Sequence, residues 1–264
     1  MPELAEVEYA RKRWNPGLGD ELLAVELHEK KRIFRGTDTR ALRRCLVRQK
    51  FLRSEARGKQ MLFVFSGDNW LGIHLGMSGN LRTEPARFGP GVHDHLVLRQ
   101  GERALVFRDA RQFGRVRFHH GKETPPWWNA IAPEVHSRDF SKSALREFLR
   151  RHGRAPIKAV LLLQSGFPGI GNWMADEILW RAHIVPHRRA GELSEKKLIA
   201  LWRSTRFVSL ASLRTIGRDN SEPPRTWLLH DRWKREGKCP KHKTKLRRET
   251  IGGRTTAWCP RCQR

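Results

Sequence analysis

Residues 239–262 read CPKHKTKLRRETIGGRTTAWCPRC. Cys239 and His242 form one pair, Cys259 and Cys262 another, each with a two-residue gap, and 16 residues separate the pairs. So short a gap bends the chain back until both side chains reach one ion, and tetrahedral Zn²⁺ takes four N or S ligands. Between the pairs, Ile251-Gly252-Gly253-Arg254-Thr255-Thr256 is a glycine turn flanked by β-compatible residues. The stretch therefore predicts a zinc-ribbon hairpin, with Cys239, His242, Cys259 and Cys262 holding one structural Zn²⁺. A segment this charged is not expected to fold without its metal.

The ribbon is the most basic part of a very basic chain. The 264 residues carry 53 Lys and Arg against 27 Asp and Glu, a net charge of +26. Residues 1–130 hold 24 basic and 15 acidic side chains, residues 131–264 hold 29 and 12, and the last 33 residues hold 12 and 2. A charge of this size points to a polyanionic partner, nucleic acid by default. With 10 Trp and 12 Phe the chain can still build a core, which excludes disorder. No apolar run is long enough to span a membrane. The first residues, with acids at Glu3, Glu6 and Glu8 and no apolar region, do not read as a secretory signal. The fourth cysteine, Cys45, stands alone among basic residues and is expected to be a small buried hydrophobe. Nothing suggests a disulfide framework, so an intracellular location, in the cytoplasm or nucleoid, is expected.

Upstream, the chain changes character once. Residues 3–14 read as a short helix between Pro2 and Pro16-Gly17. From Glu21 to His120, short apolar or alternating runs (22–25, 61–65, 71–75, 95–98, 104–107 and 116–118) are punctuated by Gly, Asp and Asn, which predicts an antiparallel β domain. Thr124-Pro125-Pro126-Trp127-Trp128 reads as a linker. Helical patterns follow over 143–151, 155–164, 172–182, 194–201 and 207–217, then a basic, proline-containing loop, 218–225. The expected class is α+β: an N-terminal two-sheet β-sandwich with its helix at 1–125, a helical domain at 126–231 and the zinc finger at 232–264.

The N-terminus carries a second chemical signal. Removal of Met1 would expose the secondary amine of Pro2, and an α-amine with a pKa near 8 is partly neutral and nucleophilic at physiological pH. Attack on a sugar C1′ would create an iminium electron sink, with Glu3 beside it to shuttle protons. Taken alone, Pro2 reads first as a structural proline at a helix start.

The start Met1-Pro2-Glu3-Leu4-Ala5-Glu6 is followed in order by Gly58-Lys59, His74-Leu-Gly-Met77-Ser-Gly, His93-Asp-His95, Asp109-Ala-Arg111-Gln-Phe113-Gly, Pro156-Ile-Lys158, Gly169-Ile-Gly-Asn172 through Glu177, and the terminal ribbon. This series resembles the formamidopyrimidine-DNA glycosylase/endonuclease VIII family over essentially the whole chain. The resemblance implies a bilobal fold with a helix–two-turns–helix domain, a monomer, and double-stranded DNA containing a damaged base or abasic site bound between the lobes. It assigns Pro2 as Schiff-base nucleophile, Glu3 as proton donor to the departing base or opened sugar, and Glu6 as an organiser of that corner. Lys59 would hold a phosphate beside the extruded nucleotide. Asn172 and the N–H groups after Gly169 and Gly171 would grip phosphates at a helix start, Lys158 would join the DNA contacts, and Arg254 would clamp phosphates from the hairpin. Met77, Arg111 and Phe113 would fill the hole left by the extruded nucleotide, although Met77 and Phe113 also suit an ordinary core. His74 would support the loops or a phosphate.

Some residues depart from the family pattern. Ala5 replaces a usual proline, Met174 a usual tyrosine, Leu163 an aspartate and His242 a cysteine. The segment 218–224, Arg-Asp-Asn-Ser-Glu-Pro-Pro, replaces a glycine-rich lesion-capping loop, and its prolines cannot supply the same N–H donors. The leading expectation is a bifunctional DNA glycosylase/AP lyase ending in β,δ-elimination. Alternatives are the same frame with a different lesion, such as a pyrimidine or deaminated purine in place of 8-oxoguanine, and a non-catalytic damaged-DNA binder. A zinc-ribbon ribosomal or transcription protein would explain the charge and the ribbon but not Met77, Arg111 and Phe113.

Overall fold

The computed structural model describes residues 1–264, which divide into two compact units. One comprises Met1–Pro2 and Glu6–Ile131, the other Glu3–Ala5 and Ala132–Arg264. Helix α1 (Leu4–Lys12) begins with residues of the second unit and continues with residues of the first.

The first unit is a sandwich of two antiparallel four-stranded sheets. Its strands are β1 (Ala24–Leu27), β2 (Phe51–Arg57), β3 (Gln60–Phe65), β4 (Asn69–His74), β5 (Asn80–Pro85), β6 (Asp94–Arg99), β7 (Arg103–Arg108) and β8 (Arg115–His120). One sheet has the order β1-β6-β7-β5, the other β2-β3-β4-β8. The period of two sends Met61, Phe63, Phe65, Leu71 and Ile73 into a core shared with Leu96, Leu98, Leu105 and Phe107. Helix α2 (Thr39–Leu46), capped by Asp38 accepting the Ala41 N–H, packs Leu42 and Leu46 on the same core. That helical spacing turns Cys45 to the flank. It is half-buried, not the fully buried hydrophobe expected from the sequence.

The 124–128 stretch, read as a linker, is packed structure. Helix α3 (Pro126–Asn129) buries Trp128 against Leu62, Val64 and Trp70. Trp127 lies where a side chain on Gly72 would begin, 2.4 Å from the ring. Two tryptophans thus cover the outer face of the β2-β3-β4-β8 sheet, and the unit continues to Ile131.

The second unit holds α4 (Lys142–Arg151), α5 (Ile157–Leu161), α6 (Asn172–Arg181), α7 (Glu195–Arg214), α8 (Ile216–Asp219) and the ribbon strands β9 (Arg247–Ile251) and β10 (Arg254–Trp258). Helix α5 stops before the expected residue 164 because the Gln164 side chain organises the following loop. It donates to Leu162 O and Ile170 O and accepts from Gly169 N. The two helices expected over 194–217 are one: α7 runs 20 residues from its Ser194 cap. No Gly or Pro interrupts 202–206, and the Thr205 hydroxyl bonds back to Leu201 O at 2.9 Å. The residues set apart at 232–264 as a finger belong to the second unit, where Leu246 and three of its cysteines share a cluster with Trp180 and Leu228.

Candidate nucleic-acid interface and metal centre

In the first unit, a two-residue turn joins β2 to β3, with Gly58 at φ +56 supplying the positive φ such a hairpin needs at its first position. Lys59 is the second turn residue and is buried. His74, at the end of β4, pairs in register with Gln60, the residue after Lys59. Its Nδ1 accepts the Gly76 N–H at 3.0 Å, which puts the ring proton on Nε2. Burial, then the charges of Lys59, Arg35 and Arg117, push its pKa down to about 4. His74 is therefore a neutral hydrogen-bond donor at physiological pH.

Met77 and Phe113 are 45% and 40% exposed, unlike core residues, and the Arg111 guanidinium lies 4.7 Å above the Phe113 ring. The loops that present them are tied by one residue missing from the expected set, the buried Asp109. Its Oδ1 accepts from Ser78 Oγ at 2.7 Å, beside Met77, and its Oδ2 accepts from Gly114 N at 2.7 Å, beside Phe113. The loops also interlock. A side chain on Gly76, at φ +64, would begin 2.4 Å from the Phe113 carbonyl carbon. Pro2 is half-buried, next to the exposed Met1.

In the second unit, the start of α6 is the organising element. Glu3 is buried and its carboxylate accepts from Gly171 N at 2.9 Å, Trp173 N at 2.9 Å and Met174 N at 3.1 Å. Negative charge suits a helix N-terminus, where orphan N–H groups and the macrodipole coincide. The anion these three amides hold is the chain's own Glu3. The amides expected to grip phosphate, those after Gly169 and Gly171, are their neighbours, Ile170 and Asn172. Asn172 donates its side-chain amide to Thr255 O at 2.9 Å, beside Arg254, which is exposed after the Gly252-Gly253 turn. Asn172 and Arg254 thus meet through the hairpin.

Lys158, expected among the DNA contacts, faces inward. It is wholly buried, and its ammonium donates to Asn172 O at 2.7 Å and to Asp176 Oδ1 at 2.5 Å. Burial pulls its pKa below the ordinary lysine value against the opposing pull of Asp176. Asp176 also pairs with buried Arg232 and accepts the Ala257 N–H at 3.1 Å, fastening β10 to α6. The sequence does carry a signal for Asp176: two acids, Asp176 and Glu177, interrupt the apolar residues between Trp173 and Trp180 of α6. Glu177 is buried beside Arg181, and burial outweighs that cation, raising its pKa to about 7.

Cys239, His242, Cys259 and Cys262 bring their ligand atoms within 4.8 Å of one another. The Cys239–Cys262 sulfur separation is 3.5 Å, and Cys239 Sγ lies 3.9 Å from His242 Nδ1. Those two edges lie near the roughly 3.6–3.8 Å of a tetrahedron with metal–sulfur bonds of about 2.3 Å, and His242 Nδ1 stands closer to Cys262 Sγ, at 2.9 Å. The Trp180 indole N–H points at Cys239 Sγ from 3.4 Å, a donor that orients the thiolate from outside the cluster. No helix of the chain is long and apolar enough to cross a membrane.

Residues 1–116 match the formamidopyrimidine-DNA glycosylase N-terminal domain and residues 131–220 the formamidopyrimidine-DNA glycosylase H2TH domain. The chain is 35% identical to a formamidopyrimidine-DNA glycosylase of Thermus thermophilus, covering 100% of this chain and 98% of that protein. It resembles the Lactococcus lactis formamidopyrimidine-DNA glycosylase non-covalently bound to DNA containing an AP site, with a TM-score of 0.87, 27% identity and 99% of both chains covered. It also resembles the wild-type Lactococcus lactis protein in complex with N7-benzyl-Fapy-dG-containing DNA, with a TM-score of 0.86, 27% identity and 100% of both chains covered.

Proposed function

The chain belongs to the formamidopyrimidine-DNA glycosylase family, and from that membership we propose that it is a bifunctional DNA glycosylase and AP lyase acting on oxidised, ring-opened or otherwise altered bases in duplex DNA. Once Met1 is removed, the Pro2 nitrogen attacks C1′ and the glycosidic bond breaks with its electrons on the departing base. Ring opening, with a proton to O4′, leaves a Schiff base whose electron sink permits β- and then δ-elimination. The observation that carries this reading is the placement of Glu3, the residue after the nucleophile. Three amides fix its carboxylate at a helix start, where a proton donor and acceptor must not wander. Met77, Arg111 and Phe113 occupy the vacated stack, Lys59, His74, Asn172 and Arg254 serve the strand, and one Zn²⁺ on Cys239, His242, Cys259 and Cys262 rigidifies the hairpin that presents Arg254.

The test is reductive trapping. The protein is incubated with oligonucleotides bearing single defined lesions or an abasic site, borohydride is added, and covalent adducts are resolved by gel. Adducts with abasic and lesion DNA are expected, reduced sharply in Pro2→Gly and Glu3→Gln. No adduct on any substrate would sink the lyase reading.

The 218–224 segment favours a lesion other than 8-oxoguanine. Helix α8 ends at Asn220, φ +65, and Pro223 and Pro224 then remove two N–H donors from the loop. The pattern of trapped lesions decides this point.

A further inference from the structure

The first unit carries a knot of cations that the proposed chemistry leaves unused. Arg115 and Arg117 stand two residues apart on β8, on the face opposite the core residue Val116. In register, Arg115 lies across from His74 and Arg117 across from Gly72. Arg35, from the segment before α2, arrives at the same place. It donates to Gly114 O at 2.8 Å and to Arg32 O at 3.1 Å, and a side chain on the neighbouring Gly36 would begin 3.5 Å from Arg115 Nη2. The Arg117 guanidinium lies over Trp127 at 5.4 Å.

No carboxylate answers these charges. Glu55, the acid on this sheet face, is shared by Arg53 and Arg57. Arg32, Arg35, Arg115 and Arg117 enter no ion pair, and Arg115 Nε is buried without a hydrogen-bond partner. Burial first, then the neighbouring arginines, draw Arg35 and Arg117 below the ordinary arginine value. Like charges held together around an unsatisfied donor cost stability, and an anion in their midst relieves that cost.

We propose that Arg35, Arg115 and Arg117, with the Nε2–H of His74, form a binding site for a backbone phosphodiester of the DNA strand, next to the loops that present Met77 and Phe113. The site rests on the DNA-glycosylase reading and adds a strand contact to it. The cluster fits a phosphate because guanidinium forks match its oxygens in pairs, and Arg115 Nε is a donor awaiting an acceptor. It fits a strand because Arg35 is anchored on Gly114, the residue after Phe113. An extended polyanion lying along that loop passes the cluster.

The test compares full-length, metal-loaded wild type with Arg115→Gln/Arg117→Gln and Arg115→Lys/Arg117→Lys, by anisotropy on undamaged and abasic duplexes across a salt series. The glutamine variant is expected to bind both duplexes more weakly to the same degree, with the log–log salt slope smaller by about 1 for a lost phosphate. The lysine variant is expected to keep most of the slope. Melting temperature is expected to hold or rise, since repulsion is removed. Equal affinity and slope in wild type and glutamine variant would overturn the proposal, as would a collapse of melting temperature, which would make the arginines structural. A second arm adds inorganic phosphate at fixed ionic strength. If phosphate stabilises wild type alone while the DNA slopes coincide, the cluster takes a small anion and the strand assignment fails. Wild type that binds DNA but yields no borohydride adduct sinks the lyase reading and leaves this site standing.

Discussion

The Glu3 carboxylate spans three amides of one helix start, and the space that allows it is the side chain Gly171 lacks. A Cβ there would lie 2.3 Å from Glu3 Cδ, although the Gly171 backbone, at φ −128, suits any residue. Gly171→Ala is therefore expected to displace Glu3 and lower single-turnover trapping on the order of 10²-fold. The measurement is borohydride trapping beside a melting curve. Activity near wild type would separate Glu3 from the chemistry. Asp109 makes a second residue-level case. Asp109→Ala strands the buried Gly114 N–H and is expected to cost about 1–3 kcal/mol of stability in denaturant unfolding. It should also blunt the fluorescence rise of 2-aminopurine placed opposite a lesion, with Asp109→Asn falling between. Of the single residues, the metal ligands are legible in sequence because Cys and His at fixed short gaps rarely recur for any purpose but holding an ion. Lys158 is not. A lysine in a basic chain gives no local sign of burial, and its partner Asp176 lies 18 residues on.

At the scale of elements, sequence hides two of the four edge strands of the sandwich. Strands β2 and β5 escape the period-2 reading, and each lies at an edge of its sheet, while the other two edges, β1 and β8, show short apolar runs. Edge strands carry charge to discourage pairing with other chains, so Phe51–Arg57 and Asn80–Pro85 show no apolar run. Central strands, buried on both faces, are plain. Helix α6 is legible to within one residue of its end because Gly171 precedes it and its apolar residues recur at helical spacing. Its buried Glu177 gives the unit a measurable pH signature. The folded pKa of about 7 exceeds the ordinary 4.5, so the native state holds the extra proton. The stability it contributes is full below about 4.5 and is lost as pH rises through about 7. By 2.303RT per pH unit the loss is at most about 3 kcal/mol. Glu177→Gln is expected to flatten that decline in urea unfolding between pH 5 and 8. Parallel profiles would place the proton elsewhere.

For the whole molecule, composition announces a polyanionic partner, and the +26 charge has consequences beyond any single contact. If binding engages six to ten phosphates, affinity for undamaged duplex is expected to fall about 10³- to 10⁵-fold between 50 and 200 mM salt. Anisotropy titrations read this directly, and a shallow dependence would mean that most of the charge faces solvent. The division into units is only partly legible. Composition suggests a break near 125, but Trp127 and Trp128 are spent covering a sheet, and the second unit begins at Ala132. Glu3–Ala5, at the very start of the chain, are counted with that unit, a membership no local pattern could disclose.

Asp176 bears on how such a chain can be inherited. Its carboxylate is divided among Lys158, Arg232 and the amide of Ala257. A chain stopped after Asp231 would keep Lys158 and Asp176 in the core and lose both partners that the ribbon segment supplies. Lys158 would still balance the charge through Oδ1, but Oδ2 would have lost the Arg232 guanidinium and the Ala257 N–H. A lineage that shed the ribbon would have to satisfy that oxygen anew, by water or by another donor.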